Sequence, residues 1–371
     1  METRQGTLEG LEMTTRCGES LAGRRVFVTG HTGFKGAWLC VWLRRLGAQV
    51  FGYSDDYISD PDFFRVVGVE EQLATHQLAD IRDFETLDEA IEAADPDVVF
   101  HLAAQSLVRE SYATPRETYD TNVMGTVNVL DAVRRRSKPC AVIVVTSDKC
   151  YENREQVWGY KEDDPFGGFD PYSSSKGATE IATASFRRSF FPPEKVSQHG
   201  IKVASGRAGN VIGGGDWATD RIVPDLVRSL ISGGQPKIRS PRAIRPWEHV
   251  LEPLSGYITL ADRLLTSDDP RWCAGWNFGP LPGGDLPVGE LVERFIKHWG
   301  SGSWLDVSSD DQPHEANVLR LNIDKALWHL DWQPRWSVDE AIKQTVDWYL
   351  AHASGQDMLQ FSLSQIAAYE A

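Results

Sequence analysis

The sequence contains no apolar run long enough to cross a bilayer. The apolar stretch at 37–43 stops at Arg44 and Arg45, whereas a spanning helix needs roughly 20 apolar residues. The first 20 residues mix acidic and basic side chains without an apolar centre, which is not the pattern of a secretory signal. We therefore expect no membrane partner, and we interpret residues 1–20 as a disordered leader.

Cysteine is also scarce. The five cysteines are widely spaced and none of them forms a CxxC pair, which argues against a disulfide framework and against a zinc site of the usual spacing. We expect a cytoplasmic protein with reduced thiols and no bound metal.

The third deficit is in positive charge. The chain has 38 lysines and arginines against 53 aspartates and glutamates, and its net charge is −15. Proteins that bind nucleic acid need a basic surface to displace counterions, so we expect no nucleic-acid partner. A small anionic ligand is compatible with this charge, because a single pocket can be positive on an acidic protein.

Short runs rich in β-branched residues alternate with helical patterns in the first half of the chain. The runs at 26–29, 49–53, 97–102 and 141–145 predict strands, and the stretches at 37–46, 84–94 and about 118–136 predict helices between them. Strands that alternate with helices form parallel sheets that are covered on both faces. This order predicts an α/β fold with a Rossmann-like, doubly wound parallel sheet.

The amino-acid composition changes near residue 210, where glycine, proline and tryptophan become frequent. The 371-residue length suits roughly two domains. We interpret 21–210 as the sheet domain and 211–371 as mainly a smaller C-terminal α/β lobe that binds substrate. Some segments of this lobe are expected to return to the sheet domain.

A glycine-rich turn, GHTGFKG at 30–36, connects the first predicted strand to the first predicted helix. Glycine lets the backbone approach a pyrophosphate, and the helix N-terminus supplies unpaired N–H groups. A turn that binds nothing is the alternative, but the strand and the helix that the motif demands are both present. The expected cofactor contacts are Gly30, His31, Gly33, Phe34, Lys35 and Gly36.

Acidic and small residues follow the next strands. Asp55 and Asp56 lie about 20 residues after the turn, where a carboxylate accepts hydrogen bonds from the adenosine ribose and repels a 2′-phosphate. Either acid alone could instead be a solvated loop residue. This spacing favours NAD over NADP and assigns NAD binding to the sheet domain. Further contacts are expected from Asp80 and Ile81 beside the adenine and from Ala103 and Ala104, which leave room beside the sheet.

Tyr172 and Lys176 are four residues apart in a predicted helix, so they share one face. A lysine ammonium beside a phenol lowers its pKa from about 10, which makes the phenolate usable as a general base. An ordinary surface helix is the alternative.

Ser147, Asp148 and Lys149 follow the buried run at 141–145. Sites of α/β proteins form at the carboxyl ends of parallel strands, and a hydroxyl, a carboxylate and an amine placed there make a set for proton transfer. The alternative is a loop ion pair between Asp148 and Lys149.

Together these motifs resemble the extended short-chain dehydrogenase/reductase family, whose members modify nucleotide sugars. Within it, the chain is most similar to the CDP-glucose 4,6-dehydratase family, because Lys149 stands where most related dehydratases have glutamate. The other shared segments are GHTGFKG, GNVIGGGDW at 209–217, RPWEHVLEPL at 245–254 and PHEA at 313–316.

The resemblance implies conversion of CDP-D-glucose to CDP-4-keto-6-deoxy-D-glucose, with NAD recycled. It implies that Tyr172, helped by Lys176 and Ser147, takes the C4 hydroxyl proton. Asp148 would protonate the C6 hydroxyl and Lys149 would take the C5 proton. The expected substrate contacts are Asn210 and Arg245 at the diphosphate, Gln105 and Ser106 at the hexose, and His314 in the PHEA segment.

Three alternatives stay open at this point. A nucleotide-sugar 4-epimerase also begins with C4 oxidation, but it needs no acid and base at C6 and C5. A dehydratase of another nucleotide sugar would share every motif outside the base pocket. A protein that binds NAD as a sensor, without catalysis, would not need to keep the reactive side chains Tyr172, Lys176, Ser147 and Asp148. The family resemblance also implies a homodimer or homotetramer, with the helices near 118–136 and 172–190 at the interface.

Overall fold

The structure is a computed structural model, and it describes residues 17–57, 59–281, 283–308 and 318–371. The strands are β1 (Arg25–Thr29), β2 (Gln49–Ser54), β3 (Thr75–Leu78), β4 (Val98–His101), β5 (Cys140–Val145), β6 (Ile201–Ala208), β7 (Asn210–Ile212), β8 (Lys237–Ile238), β9 (Ile244–His249), β10 (Gly275–Phe278), β11 (Asp285–Pro287) and β12 (Leu305–Asp306).

The α-helices lie between and after these strands. They are α1 (Phe34–Arg45), α2 (Phe63–Val67), α3 (Phe84–Ala94), α4 (Val108–Ala113), α5 (Pro115–Tyr119), α6 (Gly125–Arg136), α7 (Pro171–Ser189), α8 (Val196–His199), α9 (Ile222–Ile231), α10 (Leu251–Thr266), α11 (Val288–Trp299), α12 (Val338–Ala353) and α13 (Met358–Glu370).

Within the described residues, the main sheet has seven strands in the order β3-β2-β1-β4-β5-β6-β10. Every neighbouring pair in it is parallel. The predicted Rossmann-like α/β fold is therefore confirmed. The strand order reverses between β1 and β4, and ligands of such sheets bind at the carboxyl ends of the strands beside this point.

Apolar residues on both faces of the sheet explain why the helices cover it. One face packs α1, whose residues 36–43 are all buried, together with α10, α12 and α13. The other face packs α3 and α6. Helix α7 begins sharply because Pro171 occupies its first position and the Asp170 carboxylate accepts from the Ser173 N–H.

The C-terminal part of the chain contributes strands both to the main sheet and to smaller separate sheets. Strands β7, β9 and β11 form a small separate sheet, and β8 pairs with β12. Strand β10 joins the main sheet beside β6. We keep the predicted division near residue 210 as a proposal.

The predicted leader falls partly outside the described residues, which begin at Cys17. Residues 17–20 are attached to α10, since the Cys17 thiol contacts Thr259 Oγ1 at 3.2 Å and the Ser20 N–H donates to Asp262. The structured unit thus starts slightly earlier than we expected. No helix in the described part of the chain combines the length and the apolar character that crossing a membrane requires.

We predict that Gly214→Ala destabilises the fold. A Cβ at Gly214 would lie 2.0 Å from the Trp348 ring, and overpacking of this kind costs about 1–3 kcal/mol. Gly279→Ala is the matched control, because its Cβ would make only ordinary contacts at 3.6 Å. Thermal and urea unfolding compare the two variants. Equal stability of both would contradict the tight packing of this region.

Candidate active site

A cleft of about 1350 Å³ opens at the carboxyl edge of the main sheet, between the loops of the sheet and segments that follow β6. It brings together most of the residues that the sequence singled out. The predicted residues on its wall are Gly30, Gly33, Phe34, Lys35, Gly36, Asp55, Ile81, Ala103, Ala104, Gln105, Ser106, Ser147, Asp148, Lys149, Tyr172, Lys176, Asn210 and Arg245.

The glycine turn has the form that a pyrophosphate site requires. Gly30 has a φ of 72°, and a Cβ there would lie 2.6 Å from the Ala103 nitrogen. A Cβ at Gly36 would lie 2.1 Å from the Gly30 carbonyl oxygen. Gly33 caps α1 without a side chain, so the first N–H groups of the helix have no side-chain acceptor of their own and can bind an anion.

His31 does not line the cleft, contrary to the prediction. Its ring is fully buried behind the turn, and its Nε2 lies 2.6 Å from His76 Nδ1. A Cβ at Gly52 would lie 2.3 Å from the ring, so a glycine in β2 leaves space for it. Burial lowers the pKa of His31 to about 4. The side chain is therefore a neutral packing group rather than a cationic contact.

The acids after β2 and β3 differ in position. Asp55 lines the cleft immediately after β2. The Asp80 carboxylate instead pairs with Arg82, whose Nη2 lies 2.6 Å away, and this hydrogen bonding lowers the pKa of Asp80. Asp80 thus presents no carboxylate to the cleft, contrary to the prediction, whereas Ile81 lies on the wall. The cradle of glycines, the free helix N-terminus and the acid at Asp55 fit a dinucleotide.

Ser147 organises the turn that follows β5. Its hydroxyl donates to Asp148 Oδ1 at 2.9 Å and accepts from the Lys149 N–H at 3.3 Å. Asp148 is 1% exposed, and its Oδ2 has no hydrogen-bond partner among the described residues. Burial raises the pKa of Asp148, against the lowering influences of Lys149 and Ser147. This carboxyl is suited to be a proton donor.

Tyr172 and Lys176 line the cleft from the first turns of α7. Burial raises the pKa of Tyr172 to about 12, and the Ser147 hydroxyl, which hydrogen-bonds the phenol, is the largest opposing influence. The predicted net lowering of the phenol pKa is therefore wrong in direction, because burial outweighs the nearby charges. Lys176 Nζ is 3.5 Å from the Val145 carbonyl oxygen, and burial lowers the pKa of Lys176 to about 8. The Lys149 ammonium is only partly buried, 5.9 Å from the Tyr172 ring centroid.

The predicted substrate contacts differ in the hydrogen bonds that they make within the chain. The Gln105 amide is committed to its own loop, where it donates to Leu107 O and Thr118 Oγ1. The Ser106 hydroxyl accepts from Arg221 Nη2 at 2.9 Å. Asn210 and Arg245 both line the cleft. His314 lies outside the described residues, as does the PHEA segment.

Sequence reasoning missed two ionisable residues, one near Tyr172 and one near Asp148. Arg221 lines the cleft, donates to Asp216 at 3.0 Å and lowers the pKa of Tyr172; it lies in the DWATDR extension of the glycine-rich segment. Glu248 lies in the RPWEHV segment, fully buried in β9, and burial raises its pKa. Lys35 opposes that shift, and burial lowers the pKa of Lys35 to about 8. Among the described residues, no group of three or more metal-binding side chains converges on a point.

Comparison with known proteins found 4,6-dehydratases among the relatives of this chain. A family model described as GDP-mannose 4,6 dehydratase matches residues 27–271. The chain is 50% identical over 348 residues to the CDP-glucose 4,6-dehydratase of Salmonella typhimurium, covering 94% of this chain and 96% of that protein. It is 25% identical to the dTDP-glucose 4,6-dehydratase of Mycobacterium tuberculosis, covering 88% and 93% of the two chains.

Solved structures share the fold at lower identity. The dTDP-glucose 4,6-dehydratase of Streptomyces venezuelae, solved with NAD bound, has a TM-score of 0.75 at 21% identity, covering 90% of this chain and 99% of that one. The UDP-glucose 4-epimerase of Thermotoga maritima has the same TM-score at 21% identity, covering 89% and 99%. The scaffold is thus common to dehydratases and epimerases.

We predict that Asp55 sets the cofactor preference. Asp55→Asn removes the negative charge that repels a 2′-phosphate, so the affinity for NADP should rise about tenfold relative to NAD. Asp80→Asn is the control, because its carboxylate faces Arg82, and it should leave both affinities within about twofold. Titration calorimetry with each dinucleotide measures these changes. A larger change in the Asp80 variant would contradict the placement of the two acids.

Proposed function

The chain belongs to the CDP-glucose 4,6-dehydratase family, and from this premise we propose that it converts CDP-D-glucose to CDP-4-keto-6-deoxy-D-glucose. It is then a hydro-lyase that uses NAD as a recycled cofactor. The observation that carries the proposal is the segment Ser147-Asp148-Lys149, which places an acid and an amine beside Tyr172 in one cleft. A 4-epimerase on the same scaffold has no use for that acid and that amine.

The cofactor half of the cleft is made by the chain's own backbone and one acid. The N–H groups at the start of α1 would hold the pyrophosphate, and Asp55 would accept from the adenosine ribose. Ala103, Ala104 and Lys176 line the cleft, and Lys176 would lie at the nicotinamide end of the cofactor. When bound, NAD supplies an acceptor for the hydride from C4 and returns that hydride to C6.

Tyr172 removes the proton from the C4 hydroxyl. The phenol lies on the cleft wall in contact with Ser147, and both Ser147 and Arg221 favour its ionised form against burial. Deprotonation of the hydroxyl by a positioned side chain lowers the barrier to C4 oxidation.

Lys149 and Asp148 act on the next two carbons. A ketone at C4 acidifies the C5 proton, which the Lys149 amine removes and later returns. The Asp148 carboxyl gives its proton to the C6 hydroxyl, which leaves as water. Burial raises the pKa of Asp148, which favours the protonated carboxyl that this step requires.

Ser147 connects the two groups whose protonation states change during turnover, Tyr172 and Asp148. Each turnover leaves Tyr172 with one extra proton and Asp148 with one fewer. The Ser147 hydroxyl hydrogen-bonds the phenol and donates to Asp148 Oδ1 at 2.9 Å. The Tyr172 proton therefore passes to Ser147 Oγ while the Ser147 proton moves to Asp148, and both groups are restored for the next cycle.

The remaining predicted contacts belong to the same proposal. Arg245 and Asn210 would hold the diphosphate, since guanidinium groups form bidentate hydrogen bonds with phosphate. Gln105 and Ser106 would shape the hexose subsite. The exposed apolar side chains Met124 and Ile181, near α6 and on α7, support a homo-oligomer formed through these helices. The cytoplasmic location and the role of His314 stay predictions.

The proposed reaction is tested with a panel of substrates. The purified protein and NAD are incubated with CDP-, dTDP-, GDP- and UDP-hexoses, and the products are identified by NMR. We expect a 4-keto-6-deoxy sugar from CDP-glucose and no reaction with the others. Turnover of another nucleotide would overturn the substrate, and a C4 epimer would overturn the reaction.

We predict that the acid and the base can be separated by substitution. In deuterated water, Asp148→Asn should still exchange the C5 proton while product formation falls by at least about a hundredfold, because only the leaving group lacks its acid. Lys149→Met should lose both the exchange and the product. Lys161→Met, at an exposed lysine paired with Asp163, is the control and should keep full activity. Exchange at C5 in the Lys149 variant would assign the base elsewhere.

A further inference from the structure

We propose that the buried ion pair between Glu180 and Arg207 is the positioning device of the active site. It fixes both ends of the catalytic segment, residues 147–150, relative to the helix that carries Tyr172 and Lys176. The inference rests on the proposed function for its activity readout. Its structural basis is a set of contacts between buried side chains, of which only Thr146 lines the cleft.

Glu180 fixes the N-terminal side of the catalytic segment. The carboxylate accepts from Arg207 at both oxygens, Nε to Oε1 and Nη2 to Oε2, each at 2.9 Å. It also accepts from Thr146 Oγ1 at 2.5 Å and from Ser205 Oγ at 2.7 Å. Thr146 is the residue immediately before Ser147, so this hydrogen bond sets where the segment begins.

Arg207 fixes the C-terminal side of the catalytic segment. Its Nη1 donates to the Tyr151 hydroxyl at 2.6 Å, and that hydroxyl donates to Asn277 Oδ1 at 2.7 Å. Tyr151 is the residue immediately after the turn at Asp148–Cys150. The catalytic segment is therefore bracketed by two residues that are both bonded to one ion pair.

The same pair is part of the catalytic helix. Tyr172, Lys176 and Glu180 follow each other at intervals of four residues in α7, so they lie on one face. The side chains of Arg207 and Glu180 are 3% and 2% exposed. Although burial raises the pKa of Glu180, Arg207 and the two hydroxyls bring it to about 2. Glu180 is thus charged throughout the working range of pH, and its charge raises the pKa of Lys176 against burial.

A role in stability alone does not explain this arrangement. Buried ion pairs can be replaced by apolar residues of similar size without loss of stability, so burial by itself gives no reason to keep one. By contrast, the four donors to Glu180, which come from Arg207, Thr146 and Ser205, hold the carboxylate in place, and its hydrogen bond to Thr146 defines where the catalytic segment begins. A displacement of about 1 Å in a catalytic group can reduce turnover about a hundredfold.

Two matched variants separate positioning from stability. Thr146→Val and Ser205→Ala each remove one buried hydrogen bond to Glu180, and only Thr146 adjoins the catalytic segment. We expect similar losses in melting temperature for both. We expect kcat to fall at least about tenfold in Thr146→Val, with KM nearly unchanged, and to stay within about twofold in Ser205→Ala. Thr146→Ser, which keeps the hydroxyl, should restore kcat.

Glu180→Gln tests the charge. Loss of the carboxylate should lower the pKa of Lys176, so the pH profile of kcat should shift toward lower pH in this variant and stay unchanged in Ser205→Ala. Equal losses of kcat in the Thr146 and Ser205 variants, or an unchanged pH profile in Glu180→Gln, would overturn the proposal.

A readout without turnover keeps the two proposals apart. The phenol of Tyr172 is followed by NMR with ¹³C-labelled tyrosine, and its signal is assigned with Tyr172→Phe. Thr146→Val should shift that signal and its titration, whereas Ser205→Ala should not. A wild-type protein that is silent with every nucleotide sugar would overturn the proposed function, and the NMR result would still decide the positioning role.

Discussion

A charged side chain loses its hydration at the carboxyl edge of the main sheet, because β5, α7 and the segments that follow β6 enclose that edge. Desolvation disfavours the charged form of any group that lacks a close partner. Asp148, Tyr172 and Lys176 each shift toward neutrality for this reason. Glu180 stays ionised because Arg207 binds both of its oxygens. The same enclosure therefore yields groups that can exchange protons at the cleft and a fixed charge pair behind it.

The fold produces this enclosure through close packing at glycines. Gly209 brings the backbone after β6 next to the acid, since a Cβ there would lie 3.4 Å from Asp148 Oδ2. Gly214 receives the Trp348 ring from α12, and its carbonyl accepts from Trp38 in α1. The glycine-rich segment at 209–217 thus ties the C-terminal helices to the sheet domain while it forms one wall of the cleft. The enclosure of the site and the stability of the fold rest on the same contacts.

The sequence predicted the features that depend on local pattern. Strand–helix alternation predicted the parallel sheet, and the ends of β1 and β5 predicted the positions of the glycine turn and of Asp148. It failed where the outcome depends on what a side chain meets across the fold. His31 turns inward to His76, Asp80 turns to Arg82, and burial reverses the expected shift of Tyr172. The pairing of Glu180 with Arg207 joins a helix to a strand 27 residues later, and no spacing rule reports such a contact.

In the proposed reaction, one enzyme moves hydrogen within a single sugar, from C4 to C6, while water leaves. Incubation of the protein and NAD with CDP-glucose that carries deuterium at C4 tests this most directly. We expect a 4-keto-6-deoxy product whose deuterium is found at C6, as observed by ²H NMR. Deuterium that stays at C4, in recovered substrate or in a C4 epimer, would contradict it.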